Sequence, residues 1–154
     1  MSDVRLSPHF TLSEMVRTGQ SSLQTANTEE SAPFHGALKD VCGLLLEPIR
    51  AKFGPVRVTS GFRGTSVNKA VGGSPTSQHS KGEAADIQIA GVPSETIARW
   101  IATESGIKFG QCILEQPPGK EWVHISLGAP YRAKEKSMQV LRFDGKNYTP
   151  LTFK

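Results

Sequence analysis

The order of elements along the chain predicts an α+β fold, with a largely antiparallel sheet covered by helices on one face. Three observations carry this. Apolar residues recur at three- and four-residue steps from His35 to Phe53, the period of a helix buried on one side. Val56 to Ser60 alternates with β-branched residues, the period of a strand. A run of strand-like segments then closes the chain, an order that argues against a doubly wound parallel sheet.

At the start, Thr11-Leu12-Ser13-Glu14 is a capping box, with Phe10 and Met15 placed as its hydrophobic staple, so a short helix begins there. The stretch from Gln20 to Pro33 is polar and poor in aromatics, which predicts irregular chain. The main core helix uses Leu38, Val41, Cys42, Leu45, Ile49 and Phe53, and Gly54-Pro55 stops it. Pro48 falls inside it and should kink or break it near Leu46. After the strand at Val56 to Ser60, a Gly- and Ser-rich loop is expected from Gly61 to Ser80; long loops in small domains are usually functional. A strand at Ala84 to Ile89 follows, then a helix capped by Ser94 that buries Ile97, Trp100 and Ile101. Gln111 to Glu115 and Trp122 to Leu127 read as strands. Met138 to Phe143 and Tyr148 to Phe153 flank the hairpin signal Asp144-Gly145-Lys146-Asn147, and Pro150 assigns the last strand to an edge.

Composition narrows the function classes. The 154 residues, 37% hydrophobic and 21% charged, fit one compact domain spanning 1–154, large enough to fold without a metal or disulfides. Any metal would therefore serve chemistry. The two cysteines, Cys42 and Cys112, lack CxxC spacing and are expected to be reduced core thiols. No apolar run reaches membrane-span length and the first residues lack a signal-peptide core, so synthesis in the cytoplasm and no membrane span are expected. The net charge of +4 suits anionic partners, yet no zinc-finger pattern or basic stripe supports nucleic acid.

The chemistry lies in Ser77-Gln78-His79-Ser80-Lys81-Gly82-Glu83-Ala84-Ala85-Asp86 and in Glu121-Trp122-Val123-His124. Two imidazoles and a carboxylate suit a catalytic Zn²⁺, which keeps three protein ligands and one open position. A further carboxylate outside the ligand set would move the proton of the attacking water. Asp86 sits on an alternating strand, and His124 on a second β-rich segment. Residues three apart on a strand face opposite ways, so Glu121 would have to bend back to join His124. Glu83 competes as a ligand only if a helix runs through Gly82, and is expected to be solvated.

These segments resemble the zinc D-alanyl-D-alanine carboxypeptidase family, whose fold is shared with the amino-terminal signalling domain of Hedgehog. The signature Ser-x-His-x-x-Gly-x-Ala-x-Asp followed by Glu-x-x-His is met at Ser77, His79, Gly82, Ala84, Asp86, Glu121 and His124. Ser60-Gly61-Phe62-Arg63 is similar to the family's Ser-Gly-aromatic-Arg element, and the opening Phe10 to Met15 is similar to small phage or prophage members. The resemblance implies one zinc per chain held by His79, Asp86 and His124, with Glu121 as general base. It further implies that Arg63 faces the scissile carbonyl or a substrate carboxylate, and that Ser77 bonds the substrate backbone. One preorganised donor at a developing oxyanion is typically worth about 3 kcal/mol. The implied activity is hydrolysis of D-amino-acid-containing peptidoglycan stem peptides at the bacterial wall, by a monomeric enzyme of the phage or prophage type. Two alternatives stay open: an endolysin-type endopeptidase cutting within the stem or cross-link, and a non-catalytic metal-stabilised wall-binding or virion module.

Overall fold

In the computed structural model, which describes residues 3–153, the capping box forms as its spacing predicts. The Thr11 hydroxyl accepts from the Glu14 N–H at 3.4 Å and the Glu14 carboxylate accepts from the Thr11 N–H at 3.1 Å. These bonds open α1 (Leu12–Val16), with Phe10 and Met15 buried on either side of the cap. A small ribbon of β1 (Arg5–Ser7) and β2 (Phe10–Thr11) precedes it, too short to be signalled by alternation.

The polar stretch from 20 to 33 is not irregular. It holds α2 (Gln24–Glu30) between 3-10 turns at Ser21–Leu23 and Ala32–Phe34. No apolar stripe announces α2 because it docks through polar groups. Asn27 is fully buried, and its Nδ2 donates to the carbonyls of Val16 at 2.7 Å and Phe62 at 3.1 Å. Its Oδ1 accepts from the Gly64 N–H at 2.7 Å, while Glu30 accepts from the N–H and hydroxyl of Ser66. The helix thereby holds both sides of the turn that carries Arg63.

The long helical run divides into α3 (His35–Asp40), a π-helical segment Val41–Leu46 and α4 (Glu47–Phe53). Pro48 has no N–H to offer the Leu44 carbonyl, and the wider turns just before it absorb the mismatch, which meets the expected break. Leu38, Val41, Cys42, Leu45, Leu46 and Ile49 are completely buried.

Six strands make the main sheet: β3 (Arg57–Ser60), β4 (Ala84–Gln88), β5 (Phe109–Glu115), β6 (Trp122–Leu127), β7 (Gln139–Phe143) and β8 (Tyr148–Pro150). Their order is β3-β4-β6-β5-β7-β8, with every neighbouring pair antiparallel except β5 and β7. The expected loop between β3 and β4 contains α5 (Thr65–Ala70) and a 3-10 turn, Gln78–Lys81. Between β4 and β5 lies α6 (Ser94–Thr103), whose first residue is Ser94 itself rather than a capping Ser94. The strand period sorts the central strands. Ala85, Ile87, Cys112, Leu114, Val123 and Ile125 belong to the apolar core with the helices, and the residues between them turn the other way.

Candidate metal centre

Strands β4 and β6 pair so that Asp86 lies opposite His124. His79 comes from the 3-10 turn that feeds β4 through Gly82, at φ +69°, where a Cβ would also press on Phe34 at 3.0 Å. Glycine there lets the chain turn sharply enough for His79 to reach the strand face. His79 Nε2 is 3.3 Å from Asp86 Oδ1, and His124 Nδ1 is 3.0 Å from the same oxygen. The three side chains are 4%, 8% and 8% exposed, and their donor atoms lie within 4.8 Å of one another.

The outer nitrogens decide what this cluster can hold. His79 Nδ1 is 2.7 Å from the Gly61 carbonyl oxygen, and His124 Nε2 is 3.1 Å from Gln78 Oε1. With each ring neutral and its one proton on the nitrogen facing that oxygen, the other nitrogen turns a lone pair towards Asp86. Two imidazole lone pairs and a carboxylate oxygen repel one another unless a cation lies between them. The donor set therefore fits Zn²⁺, with the outer acceptors fixing ring tautomer and orientation. Burial alone would raise the Asp86 pKa, but when the inner nitrogens of His79 and His124 are instead protonated they donate to Asp86 and hold the carboxyl well below the usual range, so a proton and a cation compete for the same place.

The cluster lines a cavity of about 510 Å³ that also takes in Arg63, Ser77, Glu115 and Trp122. The Arg63 N–H donates to the His79 carbonyl at 3.0 Å, and its Nη2 donates to Ser77 Oγ at 3.2 Å. Its Nε is buried without a partner among the described residues. Ser77 Oγ also accepts from the His79 N–H at 3.2 Å, so the hydroxyl ties the arginine to the metal-ligand turn.

Glu121 is not in this cavity. Its carboxylate accepts from the Ser94 N–H at 2.8 Å and from Gln116 Nε2 at 3.4 Å, and lines a separate cavity with Arg57, Val92 and Ser94. The backbone bond from Ser94, with help from Gln116, holds its pKa below the usual value. The bend needed to bring it beside His124 does not occur, because the carboxylate is engaged at the positive end of α6.

The carboxylate that does enter the cavity is Glu115. Ile113 of β5 lies opposite His124, and Glu115 is two residues further along the same face. Trp122 Nε1 donates to Glu115 Oε2 at 2.5 Å. Burial raises the Glu115 pKa and the Asp86 charge adds to this, against His124, Trp122 and Arg63. The alternation Gln111-Ile113-Glu115 was the available sequence signal, but it lacks a motif partner. Glu83, the competing ligand, is half-buried and outside the cluster.

A family model described as Peptidase M15 matches residues 8–126, which takes in the cluster, Arg63 and Glu115. The chain belongs to the M15 peptidase family. No curated protein matches it. M15 peptidases are zinc metallopeptidases, and in this M15 peptidase His79, Asp86 and His124 form a site able to hold one ion. Leu141 and Tyr148 of the C-terminal hairpin also line the cavity, although the matched region ends before them. No helix among the described residues is long and apolar enough to cross a membrane.

Proposed function

We propose that this M15 peptidase hydrolyses a peptide bond in D-amino-acid-containing stem peptides of peptidoglycan, in the manner of a D-alanyl-D-alanine carboxypeptidase. The observation that carries the reading is the convergence of His79 Nε2, Asp86 Oδ1 and His124 Nδ1 at the wall of an open cavity, with both outer ring nitrogens already satisfied. When bound, zinc supplies a Lewis acid that polarises the scissile carbonyl and acidifies water. Glu115, rather than Glu121, takes the proton from the attacking water and returns it to the leaving amine; its burial keeps its pKa nearer that task. Trp122 orients the Glu115 carboxylate from the other side through its indole N–H. Arg63, whose buried Nε has no other partner, directs a fixed positive charge at the oxygen on which negative charge develops. Ser77 serves mainly to hold Arg63 and the His79 turn, leaving a hydroxyl on the cavity wall for the substrate backbone.

A cut within a longer stem is a second reading. It is favoured by the length of the cavity floor along β5, where Gln111, Ile113 and Glu115 span about 13 Å in all, about 7 Å on each side of the His124 level. The similarity of the first helix to small phage-type members fits action on the wall from a lysing cell.

Mass spectrometry of products from defined stem peptides, with zinc-loaded protein, tests the proposal. Release of free alanine supports the carboxypeptidase reading, and longer fragments support the internal cut. No cleavage of any stem peptide at one zinc per chain would overturn both.

A further inference from the structure

The cavity has a second guanidinium, on the side away from Glu115. Arg132 lies in the segment between β6 and β7 and lines the same cavity as the metal cluster. It is held by neutral acceptors only: Nε donates to the Lys136 carbonyl at 2.6 Å and Nη2 to Gln139 Oε1 at 3.1 Å. Gln139 is itself fixed, since its Oε1 also accepts from Gln111 Nε2 at 3.0 Å. The neighbouring Tyr131 hydroxyl donates to Asp40 Oδ2 at 2.5 Å, anchoring the segment to α3. Gly110 leaves room for the arginine stem, because a Cβ there would lie 3.0 Å from Arg132 Cδ and 2.5 Å from the Leu127 carbonyl oxygen.

A guanidinium has five N–H donors, and these contacts use two. No carboxylate pairs with Arg132 among the described residues. A half-buried, prepositioned cation with donors to spare, facing a substrate cavity, is suited to bind a planar anion in two-point fashion. Its level is set by Gln111, two residues before Ile113, which lies opposite His124. That is about 7 Å along the strand, the length of two extended residues.

We infer that Arg132 forms a carboxylate subsite that selects peptides with a free carboxylate one or two residues from the scissile bond, on the side opposite Glu115. The inference rests on the peptidase reading above and adds the charge of the substrate to it. Two carboxylates of a stem peptide have this chemistry: the chain terminus, one residue from a cut between the last two D-Ala, and the D-glutamyl α-carboxylate, which comes within that reach only for a cut nearer to D-glutamate.

Calorimetry on the zinc-loaded protein separates them, with three peptides ending in D-Ala-D-Ala: one with both carboxylates free, one amidated at the terminus, one amidated at D-glutamate. One amidated peptide is expected to bind about tenfold to a hundredfold more weakly than the free form. The Arg132→Gln variant, with zinc content and melting temperature matching the parent, is expected to lose that discrimination, and Arg132→Lys to regain part of it. Equal binding of all three peptides by the parent, or the same discrimination in Arg132→Gln, would overturn the subsite. Turnover measured alongside reports on the peptidase reading separately: discrimination in binding without cleavage would sink that reading and leave the subsite standing.

Discussion

The two faces of the central strands β4, β6 and β5 differ in what holds their side chains. On one face Ala85, Ile87, Cys112, Leu114, Val123 and Ile125 pack into the core, where shape and apolar area decide the fit. On the other, Asp86, His124 and Glu115 face a cavity and are held by a few directed bonds. The first face would survive many exchanges of one apolar residue for another. The second depends on single atoms. The contrast is sharpest in two carboxylates six residues apart: Glu115, which burial pushes up in pKa inside the cavity, and Glu121, which a backbone N–H holds down at the start of α6.

Neutralising the two carboxylates is the strongest way to break this comparison. Glu115→Gln is expected to lower kcat by about 10²- to 10⁴-fold with zinc content unchanged. Steady-state kinetics with metal analysis checks this, and wild-type kcat in the variant would remove Glu115 from the mechanism. On the packed face, Ile125→Ala should cost about 2–5 kcal/mol of unfolding free energy in urea, because Ile125 is fully buried. A cost below about 1 kcal/mol would mean that the core is looser than the alternation implies.

A subtler change tests the directed bonds. Gln78→Leu removes the acceptor that keeps the proton on His124 Nε2, and should weaken zinc binding about tenfold to a hundredfold in chelator competition. Gln78→Glu keeps an acceptor there and should retain most of the affinity. The smallest effect belongs to Glu121→Gln, at about 0.5–1 kcal/mol of stability near neutral pH, reduced by its contact with solvent. The folded-state pKa of Glu121 lies below its unfolded value, so its contribution is present above the ordinary glutamate pKa and fades as pH falls through the lowered one. Thermal melts of parent and variant should therefore differ at pH 7 and converge in acid; a constant difference would locate the effect elsewhere.

What could be read in advance follows the same division. The apolar period of the long helix, the capping box and the alternation of β4 and β6 carry their own signals; the ligand set His79, Asp86 and His124 was legible through its resemblance to the family signature, while the pairing that sets Asp86 opposite His124 is tertiary. Helix α2 was hidden because its buried contacts are made by Asn27, Ser31 and Glu30, residue types that usually signal loops. Glu121, which the resemblance implies as base, lies outside the metal cavity for a different reason. Its three-residue spacing from His124 matches a familiar signature, whereas its side-chain direction depends on where the N-terminus of α6 lies, a tertiary fact. Arg132 and the hairpin residues Leu141 and Tyr148 carry no motif; the hairpin reaches the cavity through the parallel pairing of β7 with β5, and Arg132 through its bonds to Lys136 and Gln139.

Anomalous diffraction from crystals grown with zinc tests the central claim most directly. The account predicts a single strong zinc peak about 2.0–2.2 Å from His79 Nε2, Asp86 Oδ1 and His124 Nδ1, with Glu121 still bonded to the Ser94 N–H. A peak that excludes any of these three atoms, or one ligated by Glu121 or Glu83, would contradict it.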